Sequence, residues 1–64
     1  MDAESLKGSA GKKCRIIIKN GFNYTAIIPK LKEWDSETTI TIIDKFSNTI
    51  RIDIGSISAI HELE

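Results

Sequence analysis

Sulfur, imidazole and proline are nearly missing from this chain: it holds one cysteine (Cys14), one histidine (His61) and one proline (Pro29). A lone cysteine excludes an intramolecular disulfide, and one cysteine with one histidine is too small a set for zinc-type coordination. No metal and no cofactor is therefore expected. Aromatic residues are scarce as well, limited to Phe22, Tyr24, Trp34 and Phe46. Nowhere is there an apolar run near the ~18–20 residues of a membrane span. Residues 1–13 pass from acidic to small to basic, with no signal-peptide apolar region. Together with the unpaired thiol, this predicts a cytoplasmic setting with no membrane partner.

What the chain has is isoleucine, threonine and charge. Its 64 residues allow one domain, and a core this small is marginal in stability. Without a disulfide or a metal to help, self-association becomes an expected source of stability. The net charge is zero, from nine basic and nine acidic residues, but the two signs are segregated. Lys7, Lys12, Lys13, Arg15, Lys19, Lys30 and Lys32 fall in a stretch, 5–32, that has no acid. Glu33, Asp35, Glu37, Asp44, Asp53, Glu62 and Glu64 follow, against only Lys45 and Arg51. Such a split suits either a basic patch for an anionic partner or basic and acidic strands lying side by side.

Residues 1–11 are nearly devoid of apolar side chains and read as a flexible or loosely docked N-terminal arm, with at most one poor helical turn around Ala3 to Leu6. From Lys12 the pattern is β. Isoleucine and threonine are branched at Cβ and suit a pleated surface. The first strand is expected over 13–19, with Cys14, Ile16 and Ile18 on one face. The second is expected from Phe22 to about Lys32, with Phe22, Tyr24, Ala26 and Ile28 inward. Asn20-Gly21 signals a hairpin between them. A two-residue loop would set Ile18 against Asn23 and Ile16 against Thr25. A three-residue loop, 19–21, sets Ile16 against Tyr24 and Cys14 against Ala26. The apolar match favours the second, with Gly21 in the left-handed region. Pro29 marks a bulge, bend or edge, because it cannot donate to a ladder.

An acidic loop follows over 33–37, then strands over 38–44 and 49–54 with a turn at 45–48. A corner at 55–57 leads to a last strand from Ser58 to about Leu63. Five short strands, one of them long and bent, predict an all-β fold: a small, strongly bent five-strand antiparallel barrel over 12–62, since closure removes exposed edges. Leu63-Glu64 matches the pair a cloning site leaves before a tag, and no function is expected of it.

Lys19-Asn20-Gly21, with Tyr24 three residues on and a bent strand behind it, resembles the first Sm motif of the Sm/Lsm and Hfq-type proteins. Ile52-Asp53-Ile54-Gly55-Ser56-Ile57-Ser58-Ala59-Ile60 is similar to the strand-corner-strand element that closes those barrels; other SH3-like barrels share the rhythm. The resemblance spans roughly 13–62 and implies an Sm-like or SH3-like barrel. The family's RNA-pocket residues are not reproduced. Ala26 stands at its glycine, Asp35-x-x-Thr38 is the nearest approach to its Asp-x-x-Asn, and Ile54-Gly55 replaces its Arg-Gly or Lys-His.

Neither catalysis nor a small-molecule substrate is expected. No serine–histidine–acid spacing exists, His61 reads as an exposed strand residue, and Cys14 alternates in phase with the core. Two binding readings remain. In the first, a protein-interaction or oligomerisation module, Ile17, Ile27 and Ile43 fall out of phase with the core and present a second apolar surface, with Trp34 as an anchor. In the alternative, Lys12, Lys13, Arg15, Lys19, Lys30 and Lys32 bind RNA or single-stranded nucleic acid, with Trp34 and Phe46 as stacking groups. A plainer role for Trp34 is to fold back and cap an open end of the barrel.

Overall fold

The computed structural model describes residues 1–63. Five strands follow a short helix: α1 (Ala3–Lys7), β1 (Lys13–Ile18), β2 (Asn23–Ile27), β3 (Thr39–Ile43), β4 (Thr49–Asp53) and β5 (Ile57–Glu62). One-turn 3₁₀ segments occupy Leu31–Glu33 and Ile54–Ser56. The chain is predominantly β, as its composition predicts. The strands make two antiparallel sheets, β2-β1-β5 and β3-β4, linked by a single bridge between Ala26 and Asp44. They do not close into one continuous five-strand barrel among the described residues.

The β1–β2 register is the one the apolar pattern selects. Cys14 lies opposite Ala26 and Ile16 opposite Tyr24. Gly21 has φ +96 and donates its N–H to the Ile18 carbonyl at 2.9 Å. A side chain at that φ would be strained, which is why glycine sits there. Inward residues of both sheets meet in one core containing Cys14, Ile16, Ala26, Ile28, Ile40, Ile42, Ile52, Ile54 and Ile57. Period-two alternation places most of them, so one face of each strand is buried and the other is wet.

Three expectations need correction. First, the N-terminal arm is docked. Asp2 caps α1 by accepting the Ser5 N–H at 2.9 Å, which holds its carboxyl below the usual range, and Leu6 is fully buried in the core. Met1 and Ala3 pack beside it, the N-terminal amine donates to the Ile57 carbonyl at 2.8 Å, and the buried Ser9 hydroxyl donates to Glu62 at 3.2 Å. Second, β2 does not run to Lys32. It ends at Ile27, and after Pro29 the chain tightens into the 3₁₀ turn, with the Glu33 N–H donating to the Lys30 carbonyl at 2.8 Å. Proline has no N–H with which to continue a ladder. Third, Phe22 is not core but 64% exposed, because it lies in the hairpin loop, outside β2. Leu63 extends the last strand's pairing by donating its N–H to the Lys13 carbonyl at 3.0 Å. Glu64, the other half of the expected tag remnant, lies outside the described residues.

Candidate interaction surfaces

The first surface is the seam between the two sheets. Ala26 bridges Asp44, so the next residues along, Ile27 and Ile43, flank the place where β2 and β3 part. Both point away from the core, 60% and 65% exposed. They share a cleft with Pro29, Glu33, Thr41 and Ile42. Ile28 faces β1, its N–H donating to the Lys12 carbonyl at 3.0 Å and its carbonyl accepting from Gly11 at 2.7 Å. Pro29, next in phase to face β3, has no N–H with which to extend the bridge. On the far side of Ile27, a second hollow is lined by Lys12, Lys13 and Glu62. Ile17 does not join this surface. It sits opposite Asn23 and Ala59, toward the other end of β1, and is half-buried.

The second surface is the outer face of the three-stranded sheet. Lys13 and Arg15 project from it, with Arg15 between Thr25 on β2 and His61 on β5. The β3–β4 turn folds over its edge, so that Arg15, Asn23, Thr25, Lys45 and Phe46 line one hollow with Asp44. Phe46 is 72% exposed, and the Lys45 ammonium lies 5.3 Å from its ring centroid. Asp44 builds this turn. Its Oδ1 accepts the N–H groups of Phe46 and Asn48, each at 2.9 Å, and its Oδ2 accepts from the Asn48 amide at 3.3 Å. These donors, the Asn48 N–H foremost, hold its carboxyl below the usual range.

The six basic residues singled out in the sequence do not share a face. Lys12 pairs with Glu62 at 3.4 Å. Lys19 lies at the β1–β2 hairpin, and Lys30 and Lys32 flank and occupy the 3₁₀ turn after Pro29. The ion pairs among the described residues are Lys7–Glu4, Lys12–Glu62 and Arg51–Asp35, so Lys13, Arg15 and Lys45 stand outside all of them. Lys45 was the cation the sequence reading passed over. Its one available signal was adjacency to Phe46 in a turn.

Trp34 folds back and is partly buried. Its ring packs against the core, and its indole N–H donates to the Pro29 carbonyl at 2.8 Å. With its polar edge satisfied, it helps wall a hollow beside Ala3, Lys7 and Leu31. Cys14 is fully buried, and that burial, with the Glu62 carboxylate acting in the same direction, pushes its thiol pKa up and away from reactivity. Among the described residues, no helix is long and apolar enough to cross a membrane.

Compared with protein-family models, curated proteins and solved structures, the chain matches none.

Proposed function

We propose that this chain is a non-enzymatic protein-interaction and self-association module, built on an Sm-like or SH3-like plan and working in the cytoplasm. The observation that carries the reading is the pair Ile27 and Ile43, two large β-branched side chains exposed side by side at an unclosed seam. Adjacent apolar residues left in water across a cleft mark a docking surface more strongly than scattered ones do. A second copy suits the cleft on charge. Lys13, beside the Lys12–Glu62 ion pair, flanks Ile27 on one side and Glu33 lies on the other, so a twofold contact sets Lys13 against Glu33. The barrel plan is supported by β1 lying between β2 and β5, by the bridge from β2 to the end of β3, and by the 3₁₀ corner joining β4 to β5.

The test is sedimentation from about 10 μM to about 1 mM, the range in which a weak contact of this size populates a dimer. The wild-type chain is expected to gain mass with concentration. Ile27→Asp and Ile43→Asp, both at exposed positions, are expected to remain monomeric with unchanged circular dichroism. A wild-type chain that stays monomeric at the top of the range overturns self-association through the seam.

A further inference from the structure

The outer face of the β2-β1-β5 sheet carries a different chemistry from the seam, with Lys13 alone, opposite Ile27, bordering both. Three cations gather there, two from one strand and one from a turn distant in sequence. Lys13 and Arg15 are two residues apart on β1, so both point outward, about 6.6 Å apart by strand rise. Lys45 arrives from the β3–β4 turn into the hollow that Arg15 lines. No ion pair among the described residues neutralises any of the three. Phe46 stands beside them in the open, with a cation already against its ring. Asn23 and Thr25 supply neutral donors and acceptors to the same hollow.

An exposed phenylalanine beside unpaired cations is a poor design for solubility alone. It fits a ligand that is anionic along one edge and flat along the other. Single-stranded nucleic acid has that chemistry, since its phosphates need cations and every base offers a π-face. An acidic peptide meets only half of it, because carboxylates satisfy Arg15 and Lys45 but leave Phe46 uncovered. Asp44 at the margin of the hollow stays ionised and offsets one of the three positive charges, which leaves the cluster net positive; its oxygens are engaged by three hydrogen bonds from Phe46 and Asn48. Base identity is left unread, since a single ring and a few side chains offer stacking without an edge-by-edge match.

We infer that Lys13, Arg15, Lys45 and Phe46 form a binding site for single-stranded nucleic acid, with phosphates along the cations and one base stacked on Phe46. Lys30, Lys32 and Trp34 lie elsewhere and take no part.

The experiment is a titration of the full chain with a fluorescent oligothymidine of about 12 nucleotides, followed by anisotropy and by amide chemical shifts. Raising salt from about 50 to about 200 mM is expected to weaken binding roughly 20-fold, for three phosphates neutralised on a single strand. Phe46→Ala is expected to weaken it at least about fivefold at fixed salt, and Arg15→Ala to lower the logarithmic salt slope by about 0.7. Both positions are exposed, and unchanged shifts in the core amides confirm that each variant is folded. Ile43→Ala, a seam change that adds no charge and lies outside the hollow lined by Arg15, is expected to bind like the wild type, which separates this site from the seam. The inference is overturned if the oligonucleotide moves no amide at the lower salt. It is equally overturned if the moved amides cluster around residues 30–34, or if Phe46→Ala binds as tightly as the parent. An acidic peptide such as oligoglutamate that binds as tightly as the oligonucleotide, indifferent to Phe46→Ala, also overturns it in favour of a protein partner.

Discussion

The three-stranded sheet and the β3–β4 hairpin are written in the same residues, yet they are held very differently. β1 has a partner strand on each side, and the helix packs Leu6 into the core its inner face helps build. The hairpin has one internal ladder and one bridge to the rest, Ala26–Asp44. Both contribute fully buried isoleucines, Ile16 from the sheet and Ile40 from the hairpin. Apolar content therefore does not distinguish them. What differs is how many neighbours satisfy each strand's backbone. Of the large exposed apolar residues, three lie on the hairpin or at the seam beside it, while Phe22, Leu31 and Leu63 lie in loops or at a strand end elsewhere. Ile43 and Phe46 belong to the hairpin and its turn, and Ile27 faces the seam beside it. Local stability follows such neighbour relations, so the hairpin is expected to open first.

The largest expected effect tests the anchored half. Leu6→Ala removes a fully buried side chain and should cost about 2–5 kcal/mol in urea unfolding. For a chain of this size that is a large share of its stability. A cost within experimental error would mean that the helix is not part of the folded unit, and the contrast between the halves would fail.

The next test bears on the hairpin, and in the anchored half only on the Asp2 cap of α1, whose carboxyl is lowered in the same way. Asp44 has its carboxyl lowered by the turn's donors, so it favours the folded turn above its unfolded value. That contribution disappears as pH falls through the lower, folded value. Acidification below about pH 4 should accordingly loosen residues 44–48 while β1 keeps its protected amides. Hydrogen exchange at pH 3 and pH 6 reads this directly, and equal protection changes in both sheets would argue against an independently weak hairpin.

The smallest effect sharpens the same contrast. Ser47 adopts φ 67, in the left-handed region that disfavours a side chain. Ser47→Gly should relieve that strain and stabilise the fold by about 0.5–1 kcal/mol, seen as a raised urea midpoint with unchanged slope. A neutral or destabilising result would show that the turn is too loose for its backbone strain to register.

Much of this was legible in advance, for identifiable reasons. Alternation at Cys14, Ile16 and Ile18 against Tyr24 and Ala26 identified the inner face of the first hairpin. The cost of mismatching apolar and polar partners selected its register, because a slip of one residue turns every side chain over. Phe22 misled for the opposite reason: its phase is right, but it stands in the loop, where no opposing layer covers it. The arm misled because a lone leucine in eleven residues has no period to read. Whether Leu6 is core depends on a slot that strands far along the chain must build. The interaction surfaces were legible only as separate residues. Lys13, Arg15 and Phe46 were among the candidates, whereas Lys45 was not, since nothing local links it to β1.

The sequence by itself determined the β character, the approximate positions of the strands other than the end of β2, and the hairpin register at Gly21. Each follows from contacts or torsions within a few residues. Only the tertiary structure decided that Leu6 docks, that Trp34 packs against the core, that Ile27 joins Ile43 without Ile17, and that Lys45 and Phe46 reach Arg15. Those outcomes depend on how two sheets lean together across a single bridge. That angle is the sum of many weak contacts between distant residues, and no short-range pattern encodes it.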